Sequence, residues 1–243
     1  MTPSSHPALD DLCAWAATMP WITDVLLYGS LASGDHCPAT SDIDVVAVTT
    51  GPVSHAQRAS LVSVHRRIDA TTGRGARLGC VYVPAAHRHD VARSHATWTH
   101  GRLVQRPLSA MARAELLQTG VTVVGRAAGE LLSPMSADDV RQAARAELVG
   151  YWSWTLRRPW LFLDHRIADL ALLTMARARH TCLTGSVQTK SAAWAGIRAP
   201  RGVADGVRRR RDGSGPTLPP FGPWTGWHAW RDTRRTVAEN GRA

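Results

Sequence analysis

The stretch LLYGSLASGDHCPATSDIDVVAVT, residues 26–49, places two acids inside an apolar run. Asp42 and Asp44 open a valine-rich segment, and Gly29-Ser30 ends the apolar segment before it. Side chains at positions i and i+2 of a strand point to the same face. Two carboxylates held on one face repel each other unless a cation lies between them. The pattern therefore predicts a cation site at the start of a strand.

The residue types in this stretch favour Mg²⁺ together with a polyphosphate. Mg²⁺ takes one or two carboxylates and completes its shell with phosphate oxygens and water. Gly29 allows the backbone to approach a phosphate closely, and the Ser30 hydroxyl and the N–H groups of a following helix can bind it. Gly-Ser followed by Asp-x-Asp therefore predicts a cradle for a triphosphate with Mg²⁺. The alternative is a turn that carries capping acids.

The first part of the chain alternates strand and helix patterns. Apolar, β-rich segments at residues 22–29, 42–50 and 76–84 indicate strands, and residues 54–73 have helical spacing. This order predicts an α/β domain in which helices flank a small mixed sheet. We expect this domain to cover residues 1–130.

The second part of the chain has helical patterns alone. Long amphipathic stretches follow from about residue 135, and the first opens with a Ser-x-x-Asp capping pattern. We expect an all-α bundle domain over residues 131–243. Proline and glycine are frequent over residues 198–225, so we expect that stretch to be irregular, with a short helix after it.

The Gly-Ser and Asp-x-Asp stretch resembles the nucleotidyltransferase superfamily related to DNA polymerase β, whose signature has this order. The resemblance implies transfer of a nucleoside monophosphate from a nucleoside triphosphate to a hydroxyl, with release of pyrophosphate. It implies that Asp42 and Asp44 are catalytic and hold two Mg²⁺ ions. It also implies that Gly29, Ser30 and Ser41 contact the phosphates.

The second half resembles the aminoglycoside adenylyltransferases of the streptomycin and spectinomycin type. The stretch LLTMARARHTCLTGSVQTKSAAWA, residues 172–195, looks like their motif of Leu-Thr-x-Ala-Arg followed by Thr-Gly and a lysine. By this resemblance the co-substrate is ATP, Arg177 and Lys190 bind its phosphates, and the acceptor is a small molecule with a hydroxyl. The segments LLQTGVTVVGR and HATWTHGRL also resemble the family, which makes Trp98 a candidate for stacking on the substrate.

Lys190 also stands out without reference to any family. It is the single lysine among 29 basic residues. A lone lysine in a chain of arginines suggests a place where a compact ammonium is needed rather than a planar guanidinium. A point-charge contact with a triphosphate is such a place.

The sequence departs from the family at its third acid. The family has a glutamate there that takes the proton from the attacking hydroxyl. In this chain Gly79 or Leu78 falls at that position, and the segment ARLGCVYVP has no carboxylate. General-base help is worth roughly 10²–10⁴-fold in rate. Three alternatives follow. Asp69, Asp90 or Glu115 could serve as the general base from a neighbouring element. Otherwise catalysis is slow without a base, or the protein binds nucleotide without turnover.

A second departure concerns the acceptor. The family has an acid ten residues before the arginine of its helical motif, where it binds the cationic drug. This chain has Ile167 there, with Asp164 and Asp169 nearby. A polycation needs convergent carboxylates, and the net charge of this chain is +10. We therefore expect a small hydroxyl acceptor other than an aminoglycoside, with Asp164 and Asp169 as candidate contacts.

Composition bears on partners and location. The arginines are scattered apart from a run at residues 208–211, so we expect no nucleic-acid partner. The alternative from a different functional class is a basic nucleic-acid-binding module.

No apolar stretch is as long as the roughly 18 residues that a membrane span needs. The N-terminal residues lack a signal-peptide pattern, and four cysteines make no disulfide framework. We expect a monomeric cytoplasmic protein.

Overall fold

The computed structural model describes four parts of the chain: residues 6–38, 40–71, 78–214 and 222–241. The density of contacts divides the chain into two compact units. The first unit comprises Met1–His36 and Ser41–Pro134, and the second comprises Cys37–Thr40 and Met135–Ala243. The short segment Cys37–Thr40 is thus assigned to the second unit although its neighbours in sequence belong to the first.

In the described part of the first unit, six strands form one mixed sheet. They are β1 (Ile22–Tyr28), β2 (Ile43–Thr49), β3 (Leu78–Pro84), β4 (Ser94–Thr99), β5 (Arg102–Pro107) and β6 (Val121–Val124). Their order across the sheet is β5-β4-β3-β2-β1-β6. Strands β2 and β3 are parallel, and the other neighbouring pairs are antiparallel. The predicted small mixed sheet is confirmed, and it has three more strands than the sequence patterns indicated.

Helices cover both faces of this sheet. They are α1 (Pro7–Ala16), α2 (Gly29–Ala32), α3 (His55–Thr71), α4 (Ala110–Thr119) and α5 (Ala128–Leu131). Leu12 of α1 and Leu61 of α3 are buried with Val45 on one face. Leu116 of α4 is buried with Val46 on the other face. Because successive strand residues point to opposite faces, the apolar run of β2 supplies both cores.

The described part of the second unit is helical. Its helices are α6 (Ala137–Glu147), α7 (Ser153–Leu156), α8 (His165–Thr184), α9 (Arg201–Asp212) and α10 (Pro223–Asn240). A π-helical turn occupies Leu148–Trp152. Helix α8 packs against α6 and α10, and its Ala168, Leu172 and Met175 are fully buried. The predicted all-α second half is confirmed.

The capping pattern that opens α6 forms as the sequence predicts. The Ser136 Oγ accepts a hydrogen bond from the Asp139 backbone N–H at 3.2 Å. In return, Asp139 Oδ2 accepts one from the Ser136 backbone N–H at 2.8 Å. These reciprocal bonds satisfy N–H groups that have no partner within the helix.

The prediction of an irregular stretch over residues 198–225 is wrong for most of its described part. Helix α9 occupies Arg201–Asp212, and α10 begins inside the same stretch. Val203 and Val207 are buried four residues apart, so packing of one helical face outweighs the low helix propensity of the glycines. Residues 215–221 lie outside the described residues.

Two composition-based expectations can be compared with the described residues. Cys13, Cys37, Cys80 and Cys182 are free thiols. Among the described helices, none combines the length and the apolar character that crossing a lipid bilayer requires.

Candidate functional site

Asp44 lies against Gly29 where β1 ends. Strands β1 and β2 are antiparallel, with Tyr28 opposite Asp44, so the residue after Tyr28 passes beside the Asp44 side chain. A Cβ atom on residue 29 would stand 2.6 Å from Asp44 Oδ2. Gly29 also has a φ of +71°, in the left-handed region that favours glycine. Both the close approach and the backbone conformation therefore require glycine at this bend.

The other residues of the motif flank this bend. Ser30 is the second residue of the four-residue helix α2 and is half-buried. Its carbonyl accepts a hydrogen bond from the Asp35 backbone N–H at 2.8 Å. Ser41 is buried, and Asp42 is exposed just before β2. The structure thus brings Gly29 and Ser30 to the same end of the β1–β2 pair as the acids.

The donor set at this end of the sheet suits Mg²⁺ bound with a phosphate. Among the described residues, no three His, Cys, Asp or Glu side chains are grouped so that they could hold a metal ion. Mg²⁺ needs only one or two carboxylates when phosphate oxygens and water supply the rest of its shell. The two carboxylates of Asp42 and Asp44 match the number that Mg²⁺ takes when it is bound with a polyphosphate.

Gly79 of β3 lies beside Asp44. The two residues are partners in the parallel β2–β3 ladder. A Cβ atom on Gly79 would stand 3.8 Å from Asp44 Oδ1, an ordinary van der Waals distance. Leu78 is instead buried in the core on the opposite face. Of the two positions considered for the family's third acid, Gly79 is the one that adjoins the Asp44 carboxylate.

Asp69 and Asp90, which were considered as substitutes for the third acid, accept hydrogen bonds from nearby groups. Asp69 Oδ2 accepts a hydrogen bond from Trp98 Nε1 at 3.2 Å. Asp90 Oδ1 accepts hydrogen bonds from two backbone N–H groups of its own turn, at 3.0 and 3.2 Å. Both carboxylates are thus used in holding local structure.

Glu115 shares a neighbour with Asp44. Helix α4, which carries Glu115, packs against β1 and α2. Burial, followed by the negative charges of Asp44 and Glu115, raises the pKa of Tyr28 well above its usual value. Both carboxylates therefore lie within electrostatic range of one phenol. Tyr28 was not singled out from the sequence, although its position directly before Gly29, in the strand that precedes Asp-x-Asp, was an available signal.

Trp98 is a core residue. It is only 1% exposed, and its ring stacks on His65 with the ring centres 5.0 Å apart. His65 Nε2 in turn hydrogen-bonds the Tyr82 hydroxyl at 2.8 Å, and burial lowers the pKa of His65 to about 3. Because Trp98 presents no free ring face in this structure, its candidate role in stacking on a substrate has no structural support.

Arg177 fixes the backbone next to Lys190. The Arg177 Nε donates a hydrogen bond to the Gln188 carbonyl at 2.8 Å, which ties the segment after α8 back to that helix. Lys190 follows two residues later and is half-buried. Its carbonyl accepts a hydrogen bond from the Ala193 backbone N–H at 3.2 Å. The two predicted phosphate-binding residues are thus joined through one short segment of the second unit.

Asp164 and Asp169 form ion pairs with arginines. Asp169 accepts two hydrogen bonds from Arg210, both 2.6 Å long. Asp164 caps the start of α8 by accepting the Arg166 backbone N–H at 2.8 Å, and it also pairs with the Arg166 side chain at 3.0 Å. A cationic acceptor would have to compete with these guanidinium groups for either carboxylate.

Comparisons with known proteins agree with this fold. Residues 14–74, which contain the motif from Gly29 to Asp44, match the family model of the nucleotidyltransferase domain. No curated protein sequence matches the chain significantly. Among solved structures, the chain is similar to the spectinomycin adenyltransferase AAD(9) from Enterococcus faecialis, solved with ATP and spectinomycin. The TM-score is 0.74 at 14% sequence identity, over 94% of this chain and 98% of that chain.

A second solved structure, from Sulfolobus solfataricus and assigned to the nucleotidyltransferases, has 19% sequence identity. It matches over 36% of this chain and 83% of that chain, with a TM-score of 0.23 that is too low to carry an argument. The fold similarity to AAD(9) and the domain match are therefore the informative results. The chain has a nucleotidyltransferase fold and resembles the aminoglycoside adenylyltransferases.

Proposed function

We propose that the protein transfers AMP from ATP to a hydroxyl group of a small molecule. The observation that carries this proposal is the contact between the Asp44 carboxylate and the Gly29 bend, within a segment that matches the nucleotidyltransferase domain. The fold similarity to an adenyltransferase solved with ATP supports ATP as the donor.

The residues at the Gly29 bend have separate tasks in this proposal. Asp42 and Asp44 would hold two Mg²⁺ ions, and the chemistry these ions would supply is neutralisation of charge on the triphosphate and on the attacking oxygen. The hydroxyls of Ser30 and Ser41 donate hydrogen bonds to phosphate oxygens. Gly29 keeps the backbone clear of the Asp44 carboxylate, so that this carboxylate retains its position at the bend.

Arg177 and Lys190 supply positive charge to the triphosphate. Hydrogen bonds between charged groups are about twice as strong as neutral ones, so a guanidinium and an ammonium suit phosphate oxygens. Arg177 has a second task, because its bond to the Gln188 carbonyl holds the segment that carries Lys190.

The proton of the attacking hydroxyl has no acceptor on β3, because Gly79 occupies the position next to Asp44. We assign Glu115 as the candidate acceptor, because helix α4, which carries it, packs against β1 and against α2 at the Gly29 bend. The same glycine favours a second candidate function, which is Mg²⁺-dependent binding of ATP without transfer.

The acceptor is expected to be a small molecule that is not a polycation. Both acids considered as contacts, Asp164 and Asp169, are already paired with arginines. Spectinomycin, the compound bound to AAD(9), belongs in any acceptor panel as the test of this expectation.

An acceptor screen that follows pyrophosphate release from ATP and Mg²⁺ tests the transfer. We expect release that depends on the acceptor and disappears in Asp42→Asn and Asp44→Asn. Asp11→Asn, which removes an exposed acid of α1, is the matched control and should retain activity. Release that survives in Asp42→Asn would contradict the proposal.

Calorimetry with ATP and Mg²⁺ separates the two candidate functions. ATP binding that requires Mg²⁺ and weakens in Asp42→Asn, with no pyrophosphate from any acceptor, would favour binding without transfer. If transfer occurs, Glu115→Gln should lower kcat by roughly 10²-fold or more without weakening ATP binding, as expected for a lost general base. An unchanged kcat would exclude Glu115 from that role.

A further inference from the structure

Helix α10 carries tryptophan and arginine side chains along one exposed stripe. Trp224, Trp227, Arg231 and Arg234 recur every three or four residues and are all exposed, as expected for one face of a helix. Trp224 is 65% exposed and Trp227 is 48% exposed. Tryptophan is highly buried on average, so two open indoles on one stripe indicate a binding surface.

The aromatic and cationic groups of this stripe are in contact. The rings of Trp224 and Trp227 lie within 14° of parallel, with their centres 6.4 Å apart. The Arg231 guanidinium carbon is 5.2 Å from the Trp227 ring centre, and that of Arg234 is 5.4 Å from the Trp230 ring centre. The Trp–Arg face is defined here as Trp224, Trp227, Trp230, Arg231 and Arg234. A groove of about 430 Å³ is lined by Trp227, Trp230, Arg231, Arg234, Arg235 and Ala238.

The charge of the Trp–Arg face is not neutralised within the described part of the chain. Arg235, at its border, pairs with Glu239 at 2.6 Å. Neither Arg231 nor Arg234 forms an ion pair with a described residue. The surface therefore combines two guanidinium groups that form no ion pair with a described residue with exposed indole rings, and this combination suits an anionic partner.

We propose that the Trp–Arg face binds single-stranded nucleic acid. The guanidinium groups attract negative charge, and the exposed indoles can stack on flat rings. A strand of phosphates with unstacked bases offers both, and sequence-tolerant single-strand binding uses this combination of groups. A second copy of the chain is a poorer partner, because its own Trp–Arg face would add arginines and no carboxylate to the contact.

Single-strand binding departs from the expectation of no nucleic-acid partner, which rested on the scattered positions of arginine in the sequence. Helical periodicity brings Arg231 and Arg234 together with tryptophans that lie four residues earlier in each case. Binding at this face does not depend on the transfer of AMP, because it uses none of the residues assigned to that reaction.

Fluorescence anisotropy with a labelled oligo-dT or oligo-U longer than about 16 nucleotides tests the proposal. We expect Trp227→Ala to weaken binding about tenfold, which is within the range for one lost stacking contact. The double variant Arg231→Gln/Arg234→Gln should lower the slope of log K against log salt concentration by about 1.4, or about 0.7 for each lost phosphate contact.

The matched control is Arg66→Gln/Arg67→Gln, which removes the same charge from exposed positions on α3. It should leave the affinity within about twofold of the parent protein, and Asp42→Asn should also bind normally. Equal loss in both double variants would show general attraction to a basic protein and overturn the proposal. Binding of anionic phospholipid vesicles without binding of either oligonucleotide would overturn it as well, as would equal affinity for a duplex.

Discussion

The Asp44 carboxylate occupies the space that a side chain on residue 29 would need, since its Oδ2 lies 2.6 Å from the Cβ position of Gly29. We expect Gly29→Ala to lower the free energy of unfolding by about 1–3 kcal/mol, because it adds strain at a left-handed residue. We also expect it to displace Asp44 and weaken Mg²⁺-dependent ATP binding. Urea unfolding and calorimetry measure the two effects.

Gly34 provides the control for this substitution. It has a φ of +72°, but a Cβ atom there would meet nothing within 4 Å. Gly34→Ala therefore carries the backbone strain without the contact, and it should bind ATP like the parent protein. If Gly29→Ala also binds ATP normally, the contact with Asp44 has no part in the nucleotide site.

Gly79→Glu should place a third carboxylate beside Asp44, because Gly79 is paired with Asp44 and a Cβ atom there meets its neighbours only at ordinary contact distances. Three close carboxylates repel in the absence of a cation. We therefore expect the variant to melt at a lower temperature in EDTA and to be stabilised by Mg²⁺ more than the parent protein. If transfer is limited by the missing base, its rate should rise by roughly 10²–10⁴-fold.

Gly79→Gln has a similar size without the charge. Its melting temperature should respond to Mg²⁺ like that of the parent protein. An equal Mg²⁺ response in the glutamate and glutamine variants would mean that residue 79 does not face the metal-binding acids.

Lys190→Arg tests whether the ammonium of the single lysine is needed. We expect ATP affinity to fall about tenfold, since a planar guanidinium does not replace a compact point charge at the same distance. Arg208→Lys, the reverse change at an exposed position of α9, should leave the affinity unchanged. Unchanged affinity in Lys190→Arg would refute the argument from the lone lysine.

His65 should make the stability of the protein fall as the pH falls. Burial lowers its pKa to about 3 in the folded protein, whereas an unfolded histidine titrates near 6.5. Between these values the unfolded chain binds a proton that the folded chain does not. The stabilisation is therefore complete above about pH 6.5 and declines towards pH 3, by at most about 1.4 kcal/mol per pH unit.

Urea unfolding at several pH values between 7 and 4 measures this dependence. His65→Phe should lower the overall stability through loss of the Tyr82 contact, but its stability should decline less steeply with falling pH. A slope equal to that of the parent protein would show that His65 does not bind the proton in question.

The site at the Gly29 bend could be predicted because its parts are close in sequence. Gly-Ser directly follows β1 and Asp-x-Asp spans the start of β2, so local patterns bring the groups together without knowledge of the rest of the chain. Trp98 and Asp169 were harder to assess. Their hydrogen-bond partners, Asp69 and Arg210, lie 29 and 41 residues away in sequence, and no local pattern shows that such partners exist.

Helix α9 could have been predicted from the spacing of its apolar residues, although its glycines lower the helix propensity. Val203, Val207 and Arg211 are buried at four-residue intervals, and this periodicity is visible in the sequence. Frequent proline and glycine indicated an irregular segment, but the packing of the buried face follows the periodicity. The Trp–Arg face could be recognised only once α10 was known to be helical, since contacts between residues four apart form only when the backbone is helical.

The contact between Arg177 and Gln188 is made to a backbone carbonyl. A carbonyl is present whatever side chain stands at position 188, so substitution there would leave the anchor of the Lys190 segment in place. Among related sequences, position 188 should therefore tolerate many residue types while position 177 does not. An anchor of this kind would be overlooked by any search that ranks positions by how little they vary.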